Sequence, residues 1–239
     1  MSAKEVFGKA ISLARTPPLR KDRIHLIGIE LEGAWATRPP GFTHDGSVSI
    51  PPPTLGISWY VGELPLPPMP PQCWQGPLRE YYPIDVNNSC GMHVHLSFKT
   101  ARIYQQLMDK SYPATLLAYL ARWGRQQELP RSHPLWARLR GTVSYCGHTF
   151  SPDLQAQAPN KSGPRYAAVN YCHRLHGTLE IRVLPMMANA DLAIAAISEV
   201  LRITNTYLLA TIVRDRTYRA EAVMESDEYR EEIDECVSF

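Results

Sequence analysis

Three short segments of this chain carry ionisable residues at alternate positions. They are Gly28-Ile-Glu-Leu-Glu32, Cys90-Gly-Met-His-Val-His-Leu-Ser97 and Gly177-Thr-Leu-Glu-Ile-Arg-Val183. Alternation of apolar and polar residues is the period of a half-buried strand, so each segment gathers its ionisable residues on one face. Glu30 then lies with Glu32, His93 with His95, and Glu180 with Arg182. A sheet face collecting carboxylates, imidazoles and a guanidinium is costly unless the charges are paired or bind metal. Carboxylate and imidazole donors around a divalent cation, with an arginine nearby, describe a site that handles phosphate.

These segments need a sheet to hold them and helices to cover it. Strands are expected at Arg23 to Gly33, around Ile57 to Leu66, within Asp85 to Phe98, at Tyr166 to Tyr171 and at Thr178 to Leu184, with His173 to Gly177 turning a hairpin. Residues 36–80 are rich in proline and poor in helical periodicity. Arg102 to Glu128 carries Ile103, Leu107, Leu116, Leu117 and Leu120 at helical spacing, and Pro113 either breaks this helix or starts a second. Residues 130–165 read as loop and short helix. Asp191 to Arg214 is the clearest helix, with Asp191 as its N-cap. The expected organisation is a helical or linker segment over residues 1–22, one domain over 23–214 and a charged C-terminal helix or tail over 215–239. The fold class is α+β, an antiparallel sheet with helices packed on one side.

Composition narrows the classes. The 239 residues, 44% of them hydrophobic, suffice for one substantial core. The net charge of +2 comes with no basic stripe interleaved with aromatics, so nothing points to nucleic acid. The five cysteines, Cys73, Cys90, Cys146, Cys172 and Cys236, form no CxxC pair, which argues against a disulfide scaffold and for a cytoplasmic location. They read as small core residues. Met1 to Arg15 lacks an apolar signal core. The run Leu192 to Val213 holds Glu199 and Arg202 and reads as amphipathic, too polar to span a membrane. His133, His148, His173 and His176 fall in loop-like stretches and read as surface residues, whereas Tyr119 and Trp123 read as core.

In chain order, Gly-Ile-Glu-Leu-Glu, Asp-Gly-Ser, Gly-Glu-Leu-Pro, Gly-Met-His-Val-His-Leu-Ser, Tyr-Ala-Ala-Val-Asn and Leu-Glu-Ile-Arg resemble the amidoligase family of carboxylate–amine ligases. That family is similar in fold to glutamine synthetase and glutamate–cysteine ligase. The resemblance runs from about Ile24 to Tyr207. It implies a curved antiparallel sheet in a glutamine-synthetase-like catalytic domain, where ATP phosphorylates a carboxylate and an amine displaces the phosphate. It implies Mg2+, with Mn2+ as an alternative, held by Glu30, Glu32, Glu63, His93 and Glu180. His95 and Ser97 are implied on the nucleotide side, with Arg165 and Asn170 lining the pocket and Arg182 on the transferred phosphoryl group. Asp45 and Ser47 match an Asp-x-Ser element near the amine or metal, and Asp45 and Glu63 join Arg182 as catalytic candidates.

Implied partners are a small-molecule or peptide carboxylate and an amine, with no membrane and with homo-oligomer formation open. The chain departs from glutamine synthetase in its shorter length and from the family in the proline-rich Pro65 to Pro77. Two other readings stand beside the ligase. One is an inactive amidoligase-like binding or structural module. The other is a cupin-like metalloprotein, which wants a glutamate soon after the second histidine, where Leu96-Ser-Phe-Lys99 supplies none.

Overall fold

The computed structural model describes residues 23–52, 58–108, 111–144, 146, 166–172 and 177–213, with 211–213 as backbone only. The expectations for 1–22, for 215–239, for the turn at 173–176 with His173 and His176, for 147–165 with His148 and Arg165, and for Cys236 lie outside these residues.

Strands β1 (Ile24–Trp35), β2 (Tyr60–Met69), β3 (Gly91–Phe98), β4 (Val169–Cys172) and β5 (Thr178–Pro185) form one antiparallel sheet in the order β2-β1-β3-β5-β4. The helices are α1 (Gln75–Glu80), α2 (Ala101–Leu107), α3 (Ser111–Gln126), α4 (Pro134–Leu139) and α5 (Ala190–Val213). The class is α+β, as the alternation of segments implies.

The period of two sorts every strand into an apolar and a polar side. Ile27, Ile29 and Leu31 of β1, Met92, Val94 and Leu96 of β3, and Leu179, Ile181 and Val183 of β5 are all buried. They share one hydrophobic cluster with Leu116, Leu117 and Leu120 of α3 and with Ala193, Ala196, Ile197, Val200 and Ile203 of α5. Burying a side chain of this size stabilises by about 1.5–3 kcal/mol. That burial fixes which face of each strand turns inward, because a slip of one residue would send the whole apolar set to the other side.

Several boundaries differ from the sequence expectation for identifiable reasons. β2 continues past Leu66 to Met69 although Pro67 and Pro68 lack N–H groups. The strand lies at a sheet edge, and its register against β1 shifts between Ile27 and Ile29, which absorbs the extra residues. Pro113 begins the second helix rather than breaking the first, sitting in the first turn of α3 where a missing N–H costs nothing. The cap of α5 is Asn189, whose Oδ1 accepts from Leu192 N at 2.9 Å; Asp191 instead pairs with Arg79. His133 is no idle surface residue: its Nδ1 accepts from Leu135 N at 3.2 Å and caps α4. Cys73 is exposed, unlike buried Cys90 and Cys146.

Helix α5 also corrects its expected character. It is long and apolar enough to cross a membrane by length and composition alone, despite Glu199 and Arg202. More than half of that stretch is buried inside the protein. Two polar pairs lock it to α3: Ser111 Oγ with Tyr207 Oη at 2.6 Å, and Tyr112 Oη with Thr204 Oγ1 at 2.8 Å.

Gly33 and Gly62 face each other across β1 and β2, and each receives a loop. A Cβ at Gly33 would stand 2.5 Å from Pro83 Cβ, whereas one at Gly46 would meet nothing within 4 Å. Gly33→Ala should therefore cost about 1–3 kcal/mol through overpacking against a rigid ring. Gly46→Ala should be neutral or gain up to about 1 kcal/mol by restricting the unfolded chain. Urea unfolding of both variants checks this pair, and equal effects would refute the close approach at Gly33.

Candidate metal centre

Strand register brings the polar residues into one row. Glu63 of β2 faces Glu32 of β1, Glu30 of β1 faces His93 of β3, His95 of β3 faces Glu180 of β5, and Asn170 of β4 faces Glu180 from the other side. Glu63 exchanges both backbone hydrogen bonds with Thr43, at 2.9 Å each, on its outer edge. Glu32 and Glu63 are thus a non-hydrogen-bonded pair, the kind whose side chains stand closer.

Two donor groups result. Glu30, His93 and Glu180 each offer an atom within 4.8 Å of the others, and so do Glu32, Asp45 and Glu63. His93 joins them: its Nδ1 lies 3.0 Å from Glu30 Oε2 and 3.8 Å from Glu180 Oε1, while its Nε2 is 3.5 Å from Glu32 Oε1. The donor chemistry fits the cations that the sequence implies. An all-oxygen set suits Mg2+, and a set with imidazole accepts Mn2+ or a softer ion as well.

Three of the carboxylates are held from behind. Glu180 accepts from Arg182 Nη1 at 2.7 Å on one oxygen and from Asn170 Nδ2 at 2.8 Å on the other, which Cys172 Sγ also approaches at 3.8 Å. Glu32 Oε2 accepts from Gly91 N. Asp45 is delivered by a loop. Its Oδ1 accepts from Ser47 N at 2.8 Å, and the loop rests on Gly62, where a Cβ would stand 2.3 Å from Thr43 O. Ser97 lies apart from the cluster, its hydroxyl accepting from Leu26 N at 3.1 Å where β1 and β3 shift register.

Sequence reasoning missed three contributors. Arg138 of α4 is buried, donates to Arg182 O at 3.2 Å and Cys90 O at 3.0 Å, and so ties α4 to the start of β3 and the interior of β5. In the chain it looks like any helix arginine. Gly91 leaves room that a Cβ would lose, 3.0 Å from His93 Nε2 and 3.3 Å from both Arg138 Nη1 and Glu32 Oε2. Tyr166 places its ring 5.7 Å from the Arg182 guanidinium carbon. Gly91 and Tyr166 each open a motif quoted above, Gly-Met-His-Val-His-Leu-Ser and Tyr-Ala-Ala-Val-Asn, but nothing in the chain marked what they touch.

Burial and charge perturb the acids in opposite directions. Burial, then the negative charges of Glu30, Glu32 and Asp45, push Glu63 up from 4.5 to about 7, against the pull of His93. Burial alone would raise Glu30 too, but the imidazoles of His93 and His95 close beside it outweigh burial and hold the carboxyl well below its usual range. Glu180 is likewise lowered despite burial, chiefly by Arg182. Burial would lower His95, yet Glu30 and Glu180 raise it.

No family model matches the chain, and neither a curated protein nor a solved structure does. The chemistry of the row itself carries the functional reading.

The raised Glu63 sets a pH dependence. A carboxyl whose folded pKa exceeds its unfolded value binds its proton more tightly when folded. Its stabilisation is complete below 4.5 and is lost as pH climbs through about 7. His95, also raised, contributes in the same direction. Without metal, the melting temperature should fall as pH rises across this window. Glu63→Gln should flatten the slope, and saturating Mg2+ should offset it by replacing the proton. Thermal melts in chelator at a series of pH values check this, and a parent that gains stability over that window would contradict it.

Proposed function

We propose that the protein is an ATP-dependent carboxylate–amine ligase that forms an amide or peptide-like bond through an acyl phosphate. The observation that carries this reading is the pair of donor groups standing side by side on one sheet face, bridged by His93 and Glu32, with Arg182 at their edge. Two cation sites beside a fixed guanidinium suit the transfer of a phosphoryl group, which needs charge neutralisation and alignment more than covalent help. The order of motifs along the chain, resembling amidoligases, supports the same reaction. Among the described residues the sheet is open, with β2 and β4 at its edges, which does not suit the cupin alternative.

Divalent cations held by the two groups would neutralise ATP oxygens and bring the acceptor carboxylate close. Arg182 keeps one donor on Glu180, and its buried Nε has no hydrogen-bond partner among the described residues, leaving donors to grip the transferring phosphoryl oxygens. Glu180 fixes that guanidinium, and Asn170 fixes Glu180. Glu63 and Asp45, side by side at the outer end of the row, are placed to orient the attacking amine and to receive its proton. Water must be kept from the acyl phosphate, and the 36–52 loop that delivers Asp45 is placed to help do so.

ATP should raise the melting temperature only in the presence of Mg2+ or Mn2+, by linkage. Equal stabilisation in chelator would exclude a metal-bridged nucleotide. With an acceptor pair found by ADP release, ¹⁸O from the labelled carboxylate should appear in released phosphate. Label retained only in carboxylate and amide would indicate another mode of activation. Glu180→Gln should abolish turnover while leaving the fold intact; near-normal activity would make Glu180 structural.

A further inference from the structure

We infer that His95 is a fourth donor to the first metal group, making Glu30, His93, His95 and Glu180 a two-imidazole, two-carboxylate site that takes a transition-metal dication in preference to Mg2+ when no nucleotide is bound. The inference rests on the metal-centre reading and not on ligase chemistry.

Distance places His95 in the group. Its Nε2 lies 3.1 Å from Glu30 Oε1 and 4.0 Å from Glu180 Oε1, close to the separations that His93 Nδ1 keeps from the same two carboxylates. Direction argues for a donor role. His95 Nε2 is buried and, although 3.1 Å from Glu30 Oε1, makes no aligned hydrogen bond. A buried ring nitrogen without an aligned hydrogen bond, facing two carboxylates, is available to a cation held between them.

The other ring nitrogen completes the case. Metal-binding histidines almost always donate their far N–H to an oxygen, which fixes the tautomer and frees the near lone pair. His95 Nδ1 lies 3.2 Å from Thr178 Oγ1, and His93 Nε2 lies 3.5 Å from Glu32 Oε1. Both imidazoles therefore have an oxygen behind them and carboxylates in front. Thr178 is on β5 two residues before Glu180, so the same rigid strand supplies a carboxylate donor and the residue that orients an imidazole donor. Two nitrogens in the set shift preference away from Mg2+, which favours oxygen, and toward later first-row ions.

The test is titration of the metal-free full-length protein with Co2+ and with Zn2+, without nucleotide. Proton spectra of the Co2+ form count ligating imidazoles through their shifted ring N–H signals. The parent should show two such signals, and His95→Ala one, with Zn2+ affinity reduced at least ~10-fold, the lower bound for disturbing even an outer partner of a metal ligand. Thr178→Val should weaken Zn2+ by about 10–100-fold and Thr178→Ser should restore it, as expected of a positioning hydroxyl. Should His95→Ala fail to fold, the Thr178 pair and the count in the parent decide the matter. A single signal in the parent, or His95→Ala with the parent's spectrum and affinity, would overturn the proposal, while loss in His93→Ala alone would keep the metal centre and reject His95. No Co2+ or Zn2+ binding by the parent would remove both.

Discussion

Register between β1, β3 and β5 is the constraint on which the site depends. The apolar faces of these strands are buried against α3 and α5, and that burial leaves the chain no choice about where its charges go. Glu30, Glu32, His93, His95 and Glu180 are forced together on the other face because Ile29, Leu31, Met92, Val94 and Ile181 are forced together on the first. The hydrophobic effect thus supplies the work of gathering like charges. The imidazoles, Arg182 and the raised proton affinity of Glu63 offset part of the repulsion in the metal-free state. A sheet strained electrostatically on one side and secured on the other is well prepared to receive cations, because binding relieves a cost already present.

The two donor groups are built differently, and this bears on how each would behave. Glu30, His93 and Glu180 all project from central strands, where backbone motion is restrained on both sides. In the second group, Glu32 and Glu63 are strand residues but Asp45 comes from a loop held by the Thr43–Glu63 hydrogen bonds and by close approach to Gly62. Ligands on strands give precision, and a ligand on a loop can leave. The proposed ligase reaction would draw on this division, with a permanent platform for phosphate and an adjustable side for arriving and departing substrates.

How much of this was legible in the chain follows the range of the interactions concerned. Alternation in three segments was enough to place Glu30, Glu32, His93, His95, Glu180 and Arg182 on one face, because strand period is local and the apolar partners are adjacent in sequence. Glu63 and Asp45 were reached through resemblance, not pattern. Their position depends on an edge strand with a register shift and on a loop meeting a glycine, neither of which leaves a periodic trace. Arg138 was invisible because its bonds to Arg182 O and Cys90 O span more than forty residues each, as was Thr178, whose role depends on facing His95 across strands. Asp191 was mistaken for a cap because Asn189, two positions earlier, is as good a capping residue, and only the direction of the Leu192 N–H tells them apart.

The outer edge of β2 carries one more consequence. Glu63 turns its N–H outward to Thr43, so Pro65, two residues on, faces outward as well and has nothing to donate; Pro67 and Pro68 follow. A neighbouring chain that tried to extend the sheet here would find the first rung taken and the next ones missing. The proline-rich stretch therefore acts as a selvedge. It finishes the fabric along the side nearest the second donor group, so that the carboxylates there meet solutes and not a borrowed strand.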